Sequence, residues 1–317
     1  TFSDKRETEY VAGVDENNVE QVLEDIIKAG ADIVFCVGPQ MMPNSLKVAV
    51  AHPEVYILNC SLNAPHPYIR TYYGRMYEAK FLAGMIAGAV TDNERVAYIA
   101  DYPIYGMIAN INAFALGVAS VNPRAKVYLA WSKTKDYDRN KFLTENDLHY
   151  VSDQDIITPN DASRYFGLYK LQDGQALNLA MPIWNWGVFY EKLLQSVLAG
   201  SYKAEGQEQV KALNYWWGMS AGVIDLICSK HVPYGVKRLA DHLKSDITKG
   251  EVVPFFGQIY DQKGELKNKG EHEMKPSDIM KMDWLVDNVV GSIPPMSEFV
   301  DNAKMVVELK GVEENKL

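Results

Sequence analysis

Cysteine is scarce in this chain: Cys36, Cys60 and Cys228 are its three, widely spaced and each in or beside an apolar stretch. No CxxC pair and no cysteine–histidine spacing suited to zinc occurs, so neither a disulfide framework nor a structural zinc site is expected. The three read as small buried hydrophobes. Long apolar runs are missing too, since none reaches the ~20 residues of a membrane-spanning helix. The stretch Phe81 to Val90 is short and rich in alanine and glycine, which suits a buried packing helix. The GxGxxG, P-loop and GxSxG patterns are all absent. The six histidines are scattered without metal-ligand spacing. No catalytic residue, cofactor or metal is therefore expected. Neither a signal peptide nor a lipidation cysteine stands near Thr1, and the chain opens as if within a fold.

The charge balance narrows the partners. A net charge of −9 repels phosphate backbones and anionic lipid, which argues against nucleic acid as a main partner. With 47% hydrophobic and 23% charged residues the chain has an ordinary globular composition, and only the polar tail Val312 to Leu317 reads as disordered.

Helices and short apolar strands alternate. Asn18 stands where it can cap a helix with Val19, Val22, Leu23, Ile26 and Ile27 on one face, closed by Gly30. The run Ile33 to Val37 fits a strand buried on both faces of a parallel sheet. Further helices are expected near Ser45–Ala51, Tyr77–Val90, Met107–Ala119, Asn160–Tyr165, Val188–Ala199 and Tyr234–Thr248. Strands are expected near Val55–Leu58, Ile69–Tyr73, Val96–Ala100, Lys126–Ala130, His149–Val151, Gly167–Tyr169, Leu177–Met181 and Val223–Ile227. This alternation defines an α/β fold with parallel sheets flanked by helices.

In such sheets ligands bind beyond the carboxyl ends of the strands. The loops there carry Gly38, Gln40 and Met41, then Asp101, Tyr102 and Tyr105, then Trp131, Asp155 and Trp184. Flat rings stack on a planar ligand while carboxylates accept from ribose hydroxyls or a ring N–H, a pairing that suits a nucleoside. The same aromatic residues also serve ordinary packing. Asp101, Asp153 and Asp155 have alternative readings as caps or turn formers. Capping is favoured for Asp153 and ligand contact for Asp155.

The segment Tyr73-Gly74-Arg75-Met76-Tyr77-Glu78-Ala79-Lys80-Phe81-Leu82-Ala83-Gly84 resembles the basic membrane protein family, substrate-binding lipoproteins of ABC importers that often bind purine nucleosides. Ile111 to Val127, Trp184 to Gly187, Pro254 to Gln262 and Met282 to Pro294 extend the likeness in consistent order. The resemblance implies the two-lobed type I periplasmic-binding-protein fold, with residues 1–92 and 186–212 as one lobe and 93–185 and 213–317 as the other. It implies a nucleoside-like ligand, hinge closure, an ABC transporter permease as partner, and attachment to the outer face of the membrane. Gly38 and Gln40 would face the ligand from the first lobe, and Asp101, Tyr102, Trp131 and Asp155 from the second. Trp184 stands near a position where some members carry a ligand-contacting lysine.

Two departures accompany the likeness. The family's opening strand and helix, with its Asp/Ser-Phe-Asn motif, is not found, so the first unit is expected to be missing. Its ribose-binding aspartates give way to Lys170-Leu171-Gln172-Asp173, with Asp173 as the candidate substitute. The alternative to transport is a cytoplasmic ligand-sensing regulatory domain within a longer protein.

Overall fold

A computed structural model describes residues 7–62, 68–154, 165–200 and 215–311. The chain divides into two compact units, Thr1–Tyr73 with Ser201–Tyr215 and Gly74–Gly200 with Trp216–Leu317, so it passes from one to the other three times. The helix Met76–Val90, which the sequence boundary at 92 groups with the first lobe, belongs to the larger unit.

The smaller unit is built on β1 (Ile33–Cys36), β2 (Tyr56–Cys60) and β3 (Arg70–Gly74), which pair in parallel. Helix α1 (Val19–Lys28) buries Val19 and Leu23, and packs Ile26 and Ile27 partly against the same core. Gly30, at φ +101°, closes it in the left-handed region that glycine tolerates without a side-chain clash. Two expectations change. Asn18 occupies the cap position, yet its side chain turns back to accept from Asp15 N at 2.9 Å and to donate to Gly13 O at 2.9 Å. Only Cys36 of β1 is buried, because β1 ends the strand order β1-β2-β3-β9, with β9 at Tyr215–Trp217, and has no neighbour on one side among the described residues. Helix α2 (Met42–Ala51) starts three residues earlier than its apolar pattern suggests, after a short turn over Pro39–Met41.

The larger unit centres on helices α3 (Met76–Val90) and α4 (Met107–Val121), which are buried on nearly every face. Their seam is made by glycine. A side chain on Gly84 would overlap the Phe114 carbonyl, and one on Gly117 would overlap the Phe81 carbonyl. Backbone therefore meets backbone at this crossing, and no larger residue fits.

Beside the helices lies a seven-stranded sheet in the order β10-β8-β7-β6-β4-β5-β13. The strands β4 (Arg95–Ala100), β5 (Lys126–Trp131), β6 (Tyr150–Ser152) and β13 (Val289–Val290) run in parallel, as the βα alternation implies. The rest does not. β7 (Leu168–Gln172), β8 (Gln175–Trp184) and β10 (Ile224–Cys228) pair antiparallel. For β7 and β8 the reason is local: Asp173 and Gly174, at φ +51° and +75°, form a two-residue turn with both positions left-handed, which joins them as a tight hairpin. The helix expected at Asn160–Tyr165 falls, except for Tyr165, outside the described residues.

Candidate functional site

In the smaller unit the loop after β1 is anchored from the neighbouring strand. Asn59, fully buried on β2, donates through Nδ2 to the Gly38 carbonyl at 2.9 Å. The Asn59 Oδ1 and the Ser61 Oγ are buried without a partner among the described residues, a polar pair at the carboxyl end of β2. Gly38 is buried beneath the Gln40 side chain, whose Nε2 would lie 2.7 Å from a Cβ at position 38. Gln40 is exposed. Met41 is not, since its side chain is 6% exposed and packs with Cys36 and Val48 in the core.

In the larger unit the strand directions decide which residues share an edge. β4, β5, β6 and β8 end on the same side, which brings Asp101, Trp131, Asp153 and Trp184 to one edge of the sheet. β7 runs the opposite way, so Asp173 lies at the far edge. It serves the hairpin turn and takes no place among these residues.

Asp101 follows β4 and accepts from the Ser132 hydroxyl, while Ser132 N donates to Ala100 O at 2.7 Å. Tyr102 beside it is half-buried, and burial, helped by the Asp101 charge, raises its phenol above the usual range. Tyr105 is partly exposed and precedes Gly106, whose φ of +81° opens α4. The Trp131 ring is 6% exposed and its Nε1 donates to Ser292 O at 2.8 Å, so this indole is largely packed away. Trp184 offers more. It stacks on Trp186 with centroids 5.1 Å apart and planes 9° apart, and Trp186 in turn stacks on Tyr190 at 6.3 Å. The Trp184 ring edge sits against Gly74, where a Cβ would lie 2.6 Å from Cζ3. Asp155 is outside the described residues.

Sequence reasoning overlooked the charged cluster beside this edge. Helix α5 (Arg139–Glu145) is capped by Asp138, which accepts from Lys141 N at 2.9 Å and leaves Arg139 at the helix start. Arg139 pairs with Asp153 at 2.8 Å, contacts the Tyr169 hydroxyl and lies 4.2 Å over the Tyr165 ring. Tyr169 also donates to Asp153 at 3.0 Å. Asp153 is thus the buried carboxylate of an ion pair, and the residues that a cap there would open, 155–164, lie outside the described residues. Lys80 was likewise unremarked: buried on α3, it donates to Ser152 Oγ at 3.2 Å above the Tyr98 ring. Only the Asp138-x-x-Lys141 start of α5 left a trace in the sequence, as an ordinary cap signal.

Tyr137 borders this cluster with its hydroxyl buried and unpartnered among the described residues. Burial first, and the nearby Asp153, Asp101 and Asp138 charges after it, push this phenol from 10.0 up to about 12, against the opposing pull of Arg139. A phenol with a raised folded-state pKa keeps its proton longer when folded than when unfolded. Its contribution is therefore complete below pH 10 and lost as pH rises toward 12. Ultraviolet difference titration should show a tyrosine transition near 12 that disappears in Tyr137→Phe. In that variant the alkaline decline in stability should become shallower. A single transition near the ordinary value, unchanged by the substitution, would contradict this account.

The described residues contain no helix long and apolar enough to cross a membrane and no cluster of three or more potential metal ligands. Two α/β units, one on a parallel sheet and the larger on a mixed sheet, linked by three chain crossings, are the organisation of the solute-binding fold class. An ABC transporter solute-binding protein from Conexibacter woesei shares the architecture, with a TM-score of 0.55 at 17% identity over 79% of this chain and 88% of that one. A transcriptional activator of the comK gene from Bacillus halodurans does so at 0.56 and 15% identity, over 76% and 87%.

The chain belongs to the PnrA-like family of ABC transporter substrate-binding proteins (Bmp), whose profile matches residues 3–165. This is a family of transport proteins that bind a substrate outside the cytoplasm, and not of enzymes. One relative, named purine-binding protein, from Brucella abortus strain 2308, is 27% identical over 307 residues, covering 92% of this chain and 85% of its own length. Another, from Haloferax volcanii and provisionally named ABC transporter glucose-binding protein, is 30% identical over 230 residues, covering 68% and 57%.

Proposed function

We propose that this substrate-binding protein binds a purine nucleoside at its strand-end loops and delivers it to an ABC permease. The observation that carries the reading is the indole of Trp184, stacked on Trp186 at the edge of the sheet that also ends in Asp101 and Tyr102. A flat ring and a carboxylate on the same edge of one sheet suit a ligand with both a heteroaromatic base and a hydroxylated sugar. The purine-binding name of the Brucella relative supports the base, and the glucose-binding name of the Haloferax relative is compatible with the sugar. Gly38 and Gln40 are the contacts of the reading in the smaller unit, and Asp155 is its further carboxylate. Trp131 and Met41 support these contacts from beneath. Attachment to the outer membrane face through a lipid completes the reading.

The test is a thermal-shift and calorimetric screen against adenosine, guanosine, inosine, adenine and glucose. A nucleoside at a hundred times its Kd should stabilise the protein by about 2.7 kcal/mol. Trp184→Ala should weaken that ligand at least tenfold, or about 1.4 kcal/mol. Binding of glucose without any nucleoside would replace the proposed substrate. Nucleoside binding undiminished in Trp184→Ala would remove this ring from the site.

A further inference from the structure

A second concave surface lies wholly within the larger unit, where α3, α4 and the segment after helix α7 (Tyr234–Lys249) meet. Its volume is about 670 Å³. The floor is apolar, made by Phe81, Leu116, Val252 and Pro254. The rim carries Glu251, Glu271 and Glu273, and no lysine or arginine lines the pocket. Over the rim stands Phe256, 59% exposed although the neighbouring Phe255 is fully buried. None of these groups takes part in the sheet-edge site.

We propose that this pocket docks a basic peptide segment of a partner protein, seating one apolar side chain on the floor while flanking lysines or arginines meet the glutamates. Each part of the occupant follows from an observation. An exposed phenylalanine beside an apolar hollow is the composition of an interface core, where aromatic side chains are enriched and water is excluded on association. A rim of three carboxylates and one histidine, His272, with no lysine or arginine, favours a cationic partner and steers its approach. Most lining residues, including Phe256 and all three glutamates, are exposed, so a small molecule alone would leave much of the hollow wet. A peptide backed by its own protein surface covers it. A second copy of this chain is a poor occupant, because a protein of net charge −9 meets its own acidic rim with repulsion.

Fluorescence anisotropy with the full chain tests the proposal. The probe is a fluorescein-labelled peptide carrying one phenylalanine between two pairs of arginines. Its controls are a twin with glycine in place of the phenylalanine and a twin with glutamates in place of the arginines. The native chain should bind the probe at least tenfold more tightly than either twin. Both Phe256→Ser and the triple variant Glu251→Gln, Glu271→Gln, Glu273→Gln should lose at least tenfold. All four side chains are exposed, so the variants should fold, with melting temperatures unchanged from the native chain as the control. Equal binding by native chain and variants would mean diffuse attraction to an acidic protein and overturn the proposal. So would phenethylammonium displacing the probe with comparable affinity, which would make this a small-cation site. The nucleoside screen is unaffected by these substitutions, so failure here and failure of the substrate reading are separately visible.

Discussion

Gly117→Ala should lower the stability of the larger unit by about 3 kcal/mol or more, at the upper end of what overpacking costs in a well-filled core. The melting temperature should fall by roughly 6–12 °C, at the usual 2–4 °C per kcal/mol for domains of this size. The new methyl would sit under 3.0 Å from the Phe81 carbonyl carbon, and a backbone group in a buried helix cannot turn aside as a side-chain end can. Gly84→Ala should behave alike against Phe114. The contrast is Gly235, on α7, where nothing lies within 4 Å of the added atom. There alanine should be neutral or stabilise by up to about 1 kcal/mol, since it has the better helix propensity. Thermal melts of the three variants decide the matter. If Gly117→Ala melts with the native chain, the helices are not held backbone to backbone.

Removing the Arg139 guanidinium should cost about 3 kcal/mol, the lower end for breaking a buried ion pair. The two partners are not equivalent. The Asp153 side chain is 3% exposed and that of Arg139 is 28% exposed. Arg139→Leu strands a buried carboxylate, leaving it, among the described residues, the Tyr169 hydroxyl and the Gln154 N–H. Asp153→Leu frees a guanidinium that can rotate outward over Tyr165, at a smaller cost of about 1–2 kcal/mol. The double variant should recover part of the larger loss, with a coupling above about 1 kcal/mol in denaturant unfolding. Additive effects within a few tenths of a kcal/mol would show that the pair does not act as a unit.

How much of this could be read in advance depended on the range of the interactions involved. The βα alternation is written in local periodicity, and it led directly to the parallel strands from β1 through β6. The long order of family-like segments carried the two-lobed fold. The antiparallel pairing of β7 with β8 was also legible, because Asp173-Gly174 is a strong two-residue hairpin signal. Attention to Asp173 as a ribose ligand obscured it. Other features had no local signature. Trp131 reads as a strand-end ring, but only the return of the chain at Ser292 shows that its face is covered. Asp153 acquires its role from Arg139, Tyr165 and Tyr169, which converge from a helix and a neighbouring strand. The exposed flank of β1 follows from its place in the sheet order, which a run of five apolar residues cannot reveal.

The hairpin tip at Asp173-Gly174 offers a practical handle. It sits at the edge of the sheet away from Asp101, Asp153 and Trp184, and its glycine has open space around it. A cysteine introduced at Asp173 for dye attachment would leave the Trp184 edge untouched, since the intervening strand length insulates one from the other. A short inserted tag could likewise be accommodated there, because tight exposed turns tolerate insertion better than the elements they join.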